Sequence, residues 1–225
     1  MSESKQLKKS ESGQKTADYL NIAYKDYLAA RILLNSNLPV QGAVLASTTI
    51  EKYFKAIMAV SGNESSGHLK RSHFNAVKNF DSKLWGALNK EFLELLQKVY
   101  ALRYLDDLKQ NFNLVIASRE FLAELDYTVF TIQKKFKLKK GQKDVVTIFD
   151  EHLAKKDSRL FLNNHCLSGI QKQEFIIAES QFMYEVRKCP LYGFIEINYV
   201  TAPLPSDGKF MRTGLTPEES GSMQY

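Results

Sequence analysis

The chain has few cysteines, Cys166 and Cys189 alone among its 225 residues. That excludes a disulfide scaffold and fits a reducing cytoplasm. It has no apolar run of about 18 residues, so no membrane-spanning helix is expected. Walker A, GxGxxG and GxSxG patterns are all missing, which removes the sequence signatures of P-loop, dinucleotide-binding and α/β-hydrolase sites. His152, His165, Cys166 and Cys189 match no standard zinc spacing, so neither a metal nor a cofactor is expected. Residues Met1 to Lys15 are polar and lack an apolar segment, so they read as a disordered lead-in and not as a secretory signal. Tryptophan occurs once, at Trp85, the expected anchor of a loop between the third and fourth helices.

What is present is helical periodicity. Apolar residues make up 44% of the chain, enough for a real core. Leu20, Ala23, Tyr27, Ala30 and Leu34 form one stripe, with Thr16 as the expected N-cap and Asp18 in the first turn. The segment from Asn35 to Pro39 breaks that helix, because the residue before proline disfavours the helical region and proline suits a fresh start. A second helix is expected from Val40 to Val60, with Ala43, Ala46, Ile50, Tyr53 and Ile57 on one face. Ser61 to Gly67 is a loop by composition. A shorter helix covers Ser72 to Phe80, and a fourth presents Phe92, Leu95, Val99 and Leu102. The fifth carries Val115, Ser118, Leu122, Leu125, Val129, Ile132 and Phe136 on one stripe. The predicted architecture is mainly α: an up-and-down bundle over 16–140.

Gly141 marks a change of pattern. Val145–Phe149 and Glu174–Val186 are ambiguous between helix and strand. Cys189 to Phe194 reads as a turn and Phe194 to Val200 as a strand. Residues 141–200 are therefore a small mixed α/β extension. Residues 201–225, with three of the prolines, read as an extended or disordered tail.

Charge is uneven. Residues 1–140 hold 22 Lys and Arg against 14 Asp and Glu, a balance of +8, while residues 141–225 hold 9 against 11, a balance of −2. The basic part is the helical part, and a basic surface concentrates polyanions such as nucleic acids or nucleotides. The densest run, Lys134 to Lys140, is expected to end the fifth helix, where cations also complement the helix dipole.

Four short elements stand in a telling order. Ala17-Asp18-Tyr19-Leu20, Ala23, Asp26 and Ala29 to Leu34 lie on the first helix. Ile50-Glu51-Lys52-Tyr53-Phe54-Lys55-Ala56 lies on the second. His68-Leu69 follows, and then Arg103-Tyr104-Leu105-Asp106. Over residues 16–138 this resembles the HEPN domain, an all-helical module. The family often has proline after Arg-Tyr; Leu105 stands here, which lets the fourth helix run on. The resemblance implies a homodimer, and puts Glu51, Lys52, Lys55, His68, Arg103, Tyr104 and Asp106 at motif positions.

Many HEPN proteins are metal-independent RNases that use an Arg, four to six further residues and then a His. Arg103 has no His at that reach. One pair does, Arg159 and His165, but it falls outside the bundle and at a frequency that chance alone supplies. The resemblance then implies the non-nucleolytic branch, whose members bind nucleotide or RNA or act with a nucleotidyltransferase partner. In that reading Lys52 and Lys55 meet phosphate, Arg103 clamps phosphate or carboxylate, and Tyr104 stacks a base. The competing expectation is structural: Glu51 pairs with Arg103 or Arg31 inside the bundle and fixes helix register. An RNase with residues paired otherwise, and an interaction scaffold, are the alternatives.

Overall fold

The computed structural model describes residues 3–211 except 105, 107, 111, 141, 142 and 192; of residues 3–10, 140, 143 and 144 it describes the backbone alone. Helix α1 (Glu3–Asn35) and helix α2 (Pro39–Val60) form a long antiparallel hairpin. The start of α1 meets the end of α2, where Ser12 donates to the Ala59 carbonyl and Lys15 pairs with Glu64. Pro39 opens α2 at its first turn, where its missing N–H is one the helix leaves unbonded anyway. The apolar stripe from Leu20 to Leu34 is buried throughout. At Gly42 the helices approach so closely that a Cβ would stand 2.7 Å from Leu34 Cγ. Helix α1 begins well before Thr16. Thr16 is not its N-cap: it lies inside the helix, buried, with Oγ1 donating to the Ser12 carbonyl at 2.8 Å. The expected lead-in is thus helical from Glu3.

Helix α3 (Arg71–Phe80) follows the loop as expected, and α4 (Ser82–Ala87) is an addition that sequence periodicity did not resolve. Asp81 caps α4 by accepting from Lys83 and Leu84 N–H groups, both at 2.9 Å. Trp85 sits in α4, with Lys90 Nζ 3.9 Å above its ring. Helix α5 (Lys90–Val99) tightens into a 3-10 turn over Tyr100–Arg103 and stops there, so the helix does not run on past Arg103. Leu105, the departure from the family pattern, lies outside the described residues.

The fifth predicted helix is corrected. Its first part is strand β1 (Asn113–Ala117), which passes directly into α6 (Ser118–Gln133). Val115 is therefore a strand residue, and Phe136 and the lysine run lie beyond the helix. Lys139–Lys140, strand β2, pairs with Lys143–Asp144, strand β3. Gly141, the expected boundary, lies outside the described residues.

Among the described residues the C-terminal part contains four short helices: α7 (Ile148–Ala154), α8 (Ser158–Phe161), α9 (His165–Ser168) and α10 (Lys172–Ile177). Strands β4 (Gln181–Cys189) and β5 (Gly193–Thr201) complete an antiparallel sheet of order β1-β4-β5. Ile116 stands opposite Tyr184 and Leu114 opposite Val186, and these four face the core. The fold is thus a mainly helical bundle with a small α+β part. The main apolar core runs through both, because Leu160, Phe175, Ile176 and Phe210 pack with the bundle residues, while Val115, Ala117 and Met183 form a small separate cluster on the sheet. Within the expected loose tail, Ser206 to Phe210 is docked while Ala202 to Pro205 is exposed: Phe210 packs on Phe92 with ring centroids 5.2 Å apart, and Asn89 donates to the Gly208 carbonyl at 2.9 Å. The remainder of the predicted tail, 212–225, lies outside the described residues. Among the described residues no helix is long and apolar enough to cross a membrane.

Candidate functional site

A cleft of about 680 Å³ opens between α1, α2 and the 3-10 turn. Val40, Val44, Leu45 and Leu102 give it apolar walls, while Asp26, Gln41, Thr48, Glu51, Lys52, Tyr100 and Arg103 supply polar groups. The spacing on α2 explains the set. Gln41, Val44, Leu45, Thr48, Glu51 and Lys52 recur at three and four, so one side of the helix presents them all. The opposite side carries Ala43, Ala46, Ile50, Tyr53 and Ile57 into the core.

Glu51 is the hub. Its Oε1 pairs with Lys55 Nζ at 2.5 Å, and its Oε2 stands 2.5 Å from His68 Nδ1. Burial works to raise the Glu51 pKa, but hydrogen bonds from His68 and Lys55 outweigh it and hold the carboxyl below its usual range. On the other side of the imidazole, Nε2 is 2.7 Å from Ser47 Oγ, and Ser47 Oγ donates to the Leu96 carbonyl at 2.5 Å. The His68 ring lies flat on Tyr100, with centroids 3.6 Å apart and planes 9° from parallel.

Arg103 closes the rim. Its Nη1 donates to the Tyr100 hydroxyl at 2.7 Å, and its guanidinium carbon lies 4.9 Å from the Tyr100 ring and 5.5 Å from the Tyr104 ring. Arg103 and Tyr104 are both exposed, and among the described residues no carboxylate pairs with Arg103. Lys52, by contrast, is engaged by Asp26 across the α1–α2 interface, and Thr48 Oγ1 reaches the same carboxylate at 3.4 Å.

Five of the seven expected residues, Glu51, Lys52, Lys55, His68 and Arg103, come together here. Tyr104 flanks Arg103 on the outside. Asp106 lies apart, its carbonyl 3.5 Å from Lys188 Nζ on β4. Neither predicted partner of Glu51 takes that role. Arg31 is fully buried and pairs with Asp126 instead, and Arg103 turns to the tyrosines. Ser47 and Tyr100 were not singled out from the sequence, and Asp26 stood there only as a motif position on the first helix with no partner assigned; each acts across an interface between segments, which no local spacing reveals.

The remaining candidates separate. Arg159 is held by Asp157, whose carboxyl the same Arg159 hydrogen bonds pull down to about 2. His165 is buried, with Nε2 3.0 Å from the Ala123 carbonyl. Within the chain the two have different partners. Burial pushes the Cys166 thiol up to about 12, so it is not a reactive thiolate. Among the described residues no group of three or more His, Cys, Asp or Glu is placed to hold a metal ion. A smaller cleft of about 290 Å³ lies by Asn35, Asn37, Asn163 and Phe175, but Arg119 at its wall is already bound to Glu179 and the Phe175 carbonyl.

Compared with known proteins, the chain matches no family model, no curated protein and no solved structure.

Proposed function

We propose that this chain is a HEPN-type binding module without nuclease activity, and that its cleft takes a nucleotide or a segment of single-stranded RNA. The observation that carries this reading is Arg103, a guanidinium with no carboxylate partner among the described residues, between two tyrosine rings at the rim of an apolar-walled cleft. A planar cation of that kind grips phosphate oxygens in pairs. The exposed Tyr104 ring offers a stacking face for a base. Apolar walls with a few convergent polar groups are the usual make-up of a small-ligand site. The net charge of +6 favours the approach of a polyanion.

Five of the motif positions that the HEPN resemblance supplies, Glu51, Lys52, Lys55, His68 and Arg103, fall at or beside this one cleft. In that reading the module works as a homodimer or beside a nucleotidyltransferase-type partner. Arg159 and His165, the one spacing that fits a HEPN RNase, lie away from this cleft, Arg159 against Asp157 and His165 at the Ala123 carbonyl, which supports a reading without cleavage.

The test is a thermal-shift series with nucleotides and short RNAs, with the RNAs recovered and sized afterwards. A ligand that prefers the native state raises the melting temperature. A shift with intact RNA, lost in Arg103→Ala, is the expected result. RNA cut in the presence of chelator overturns it in favour of a nuclease.

A further inference from the structure

Two protons must be found for the His68 ring. A hydroxyl has one proton to give, and Ser47 gives its own to the Leu96 carbonyl. The 2.7 Å contact between Ser47 Oγ and His68 Nε2 therefore needs a proton on Nε2. On the other side Glu51 is ionised and only accepts. The 2.5 Å contact at Nδ1 therefore needs a proton there too. An imidazolium satisfies both contacts at once; a neutral ring leaves a lone pair against an oxygen on one side.

This ring is also the support of the cleft's wall. It lies face to face with Tyr100, an arrangement that attracts a planar cation to the aromatic face. Tyr100 in turn accepts the hydrogen bond from Arg103. The chain of contacts thus runs from the Leu96 carbonyl through Ser47, His68 and Tyr100 to the guanidinium at the rim.

We propose that the charge state of His68 sets the position of Tyr100 and Arg103, so that the cleft is formed by the imidazolium and relaxed by its deprotonation. The consequence for ligand affinity rests on the binding reading of the cleft. His68 is a positioning residue here, since Tyr100 and Arg103 stand between it and the ligand.

Among the described residues, the charged and titratable groups around the ring come from three elements. From α2 come Glu51 and Lys55, which neutralise one another through Oε1. From α3 comes His73, whose Nδ1 accepts the Lys70 N–H at 3.0 Å and whose pKa burial lowers. From the 3-10 turn come Tyr100 and Arg103. The Asp26–Lys52 pair lies across the cleft. The imidazolium thus leaves the Glu51, Lys55 and His68 group with one net positive charge beside an anion-binding rim, and losing its proton removes that charge and the cation–aromatic attraction that holds the stack. Histidine is the side chain whose charge ordinarily changes between about pH 5 and 8.

The test uses the full chain and a short single-stranded RNA, whose phosphodiesters keep one charge each across that range. Fluorescence anisotropy is read from about pH 5 to 8 for the wild type, His68→Gln, Ser47→Ala and a His73→Gln control. Affinity in the wild type and in His73→Gln should fall about fivefold or more as pH rises. His68→Gln should be flat, and Ser47→Ala, which removes the acceptor at Nε2, should lose part of the slope even where His68→Gln folds poorly. In parallel, nitrogen NMR of the unliganded protein should show His68 with both ring protons at the acid end, and the Tyr100 ring signals moving at the same midpoint.

The proposal is overturned by an RNA-bound wild type with no pH slope, or by a His68→Gln variant that keeps the wild-type slope. A His68 ring that carries one proton throughout also overturns it. Should RNA bind at no pH, the binding reading fails alone. The spectra then decide this one, upheld by a shared His68 and Tyr100 midpoint and overturned by its absence.

Discussion

Arg31 and Asp126 form an ion pair in which neither side chain is exposed to solvent. The same guanidinium donates to the Arg159 carbonyl at 3.2 Å and to the Leu162 carbonyl, and Tyr27 donates to Asp126 at 2.7 Å. One arginine of the first helix therefore holds the sixth helix and the backbone around α8 together. Burial opposes the Arg31 charge, but Asp126 and Tyr27 more than offset it and keep the guanidinium protonated.

Arg31→Met should destabilise the protein by about 3–5 kcal/mol, because it leaves a buried carboxylate and two carbonyls without their donor. The Arg31→Met, Asp126→Leu double variant should be closer to wild type than the single one, since a pair replaced whole leaves no stranded charge. Urea unfolding of the three proteins checks both statements. A double variant worse than Arg31→Met would show that the pair itself, and not the orphaned partner, supplies the stability.

The docked segment near the end of the described chain makes a second claim on stability. Phe210 fills a place beside Phe92, its N–H donates to Glu91 at 3.0 Å, and Ser206 hydrogen-bonds Glu120 and Gln173. Phe210→Ala should cost about 3–5 kcal/mol, the usual loss for a buried phenylalanine. Differential scanning calorimetry reads it directly. A melting temperature within a degree or so of wild type, for a domain of this size less than about 1 kcal/mol, would mean that this segment adds little to the core.

Much of the helical framework was legible because it repeats at one period. The stripe from Leu20 to Leu34 and the face from Ala43 to Ile57 meet in the core where the 3.6-residue spacing puts them. Strand β1 was not legible. Leu114, Val115, Ile116 and Ala117 are buried on both sides, so no alternation marks them, and Val115 also falls at helical spacing from Ser118 and Leu122. The strand's partner, β4, is distant in sequence. The tail misled through composition: its prolines and glycines describe loop backbone, while Phe210 and its seat on Phe92 are a tertiary matter. At the cleft, the HEPN-like motif pointed to Glu51, Lys52, His68 and Arg103. It did not point to Ser47 or Tyr100, whose roles exist only once the loop after α2 folds back onto the 3-10 turn.

His73 gives a pH prediction of definite sign. Its ring is buried, and burial holds its pKa below the ordinary imidazole value against the pull of Glu51. The unfolded chain, with a value near about 6.5, takes up a proton that the folded chain resists. Stability from this residue is therefore present above about pH 6.5 and is lost as pH falls through the folded value. His73→Gln keeps a side chain able to accept the Lys70 N–H at the third helical position, as in a capping box, and removes the titration. Melting temperature against pH should fall less steeply on the acid side for this variant than for wild type. Equal slopes would mean that another group governs the acid limb.

Lys52 is the cleft's second cation, and Asp26 keeps it occupied. Both are partly exposed, so the pair adds little stability, and its removal acts on binding more than on folding. Asp26→Asn preserves the shape of the side chain and its contact with Thr48 while releasing the ammonium. If single-stranded RNA enters this cleft, Asp26→Asn should bind it several-fold more tightly. Its affinity should also fall more steeply with salt, by about 0.7 in the log–log slope for one further neutralised phosphate. Adding Lys52→Ala should abolish both changes, because the gain comes from the freed lysine and not from the loss of a negative charge at large. Salt titrations of the three proteins separate these causes. A gain that survives Lys52→Ala assigns the effect to the general field around α1, and an unchanged slope places the RNA elsewhere on the surface.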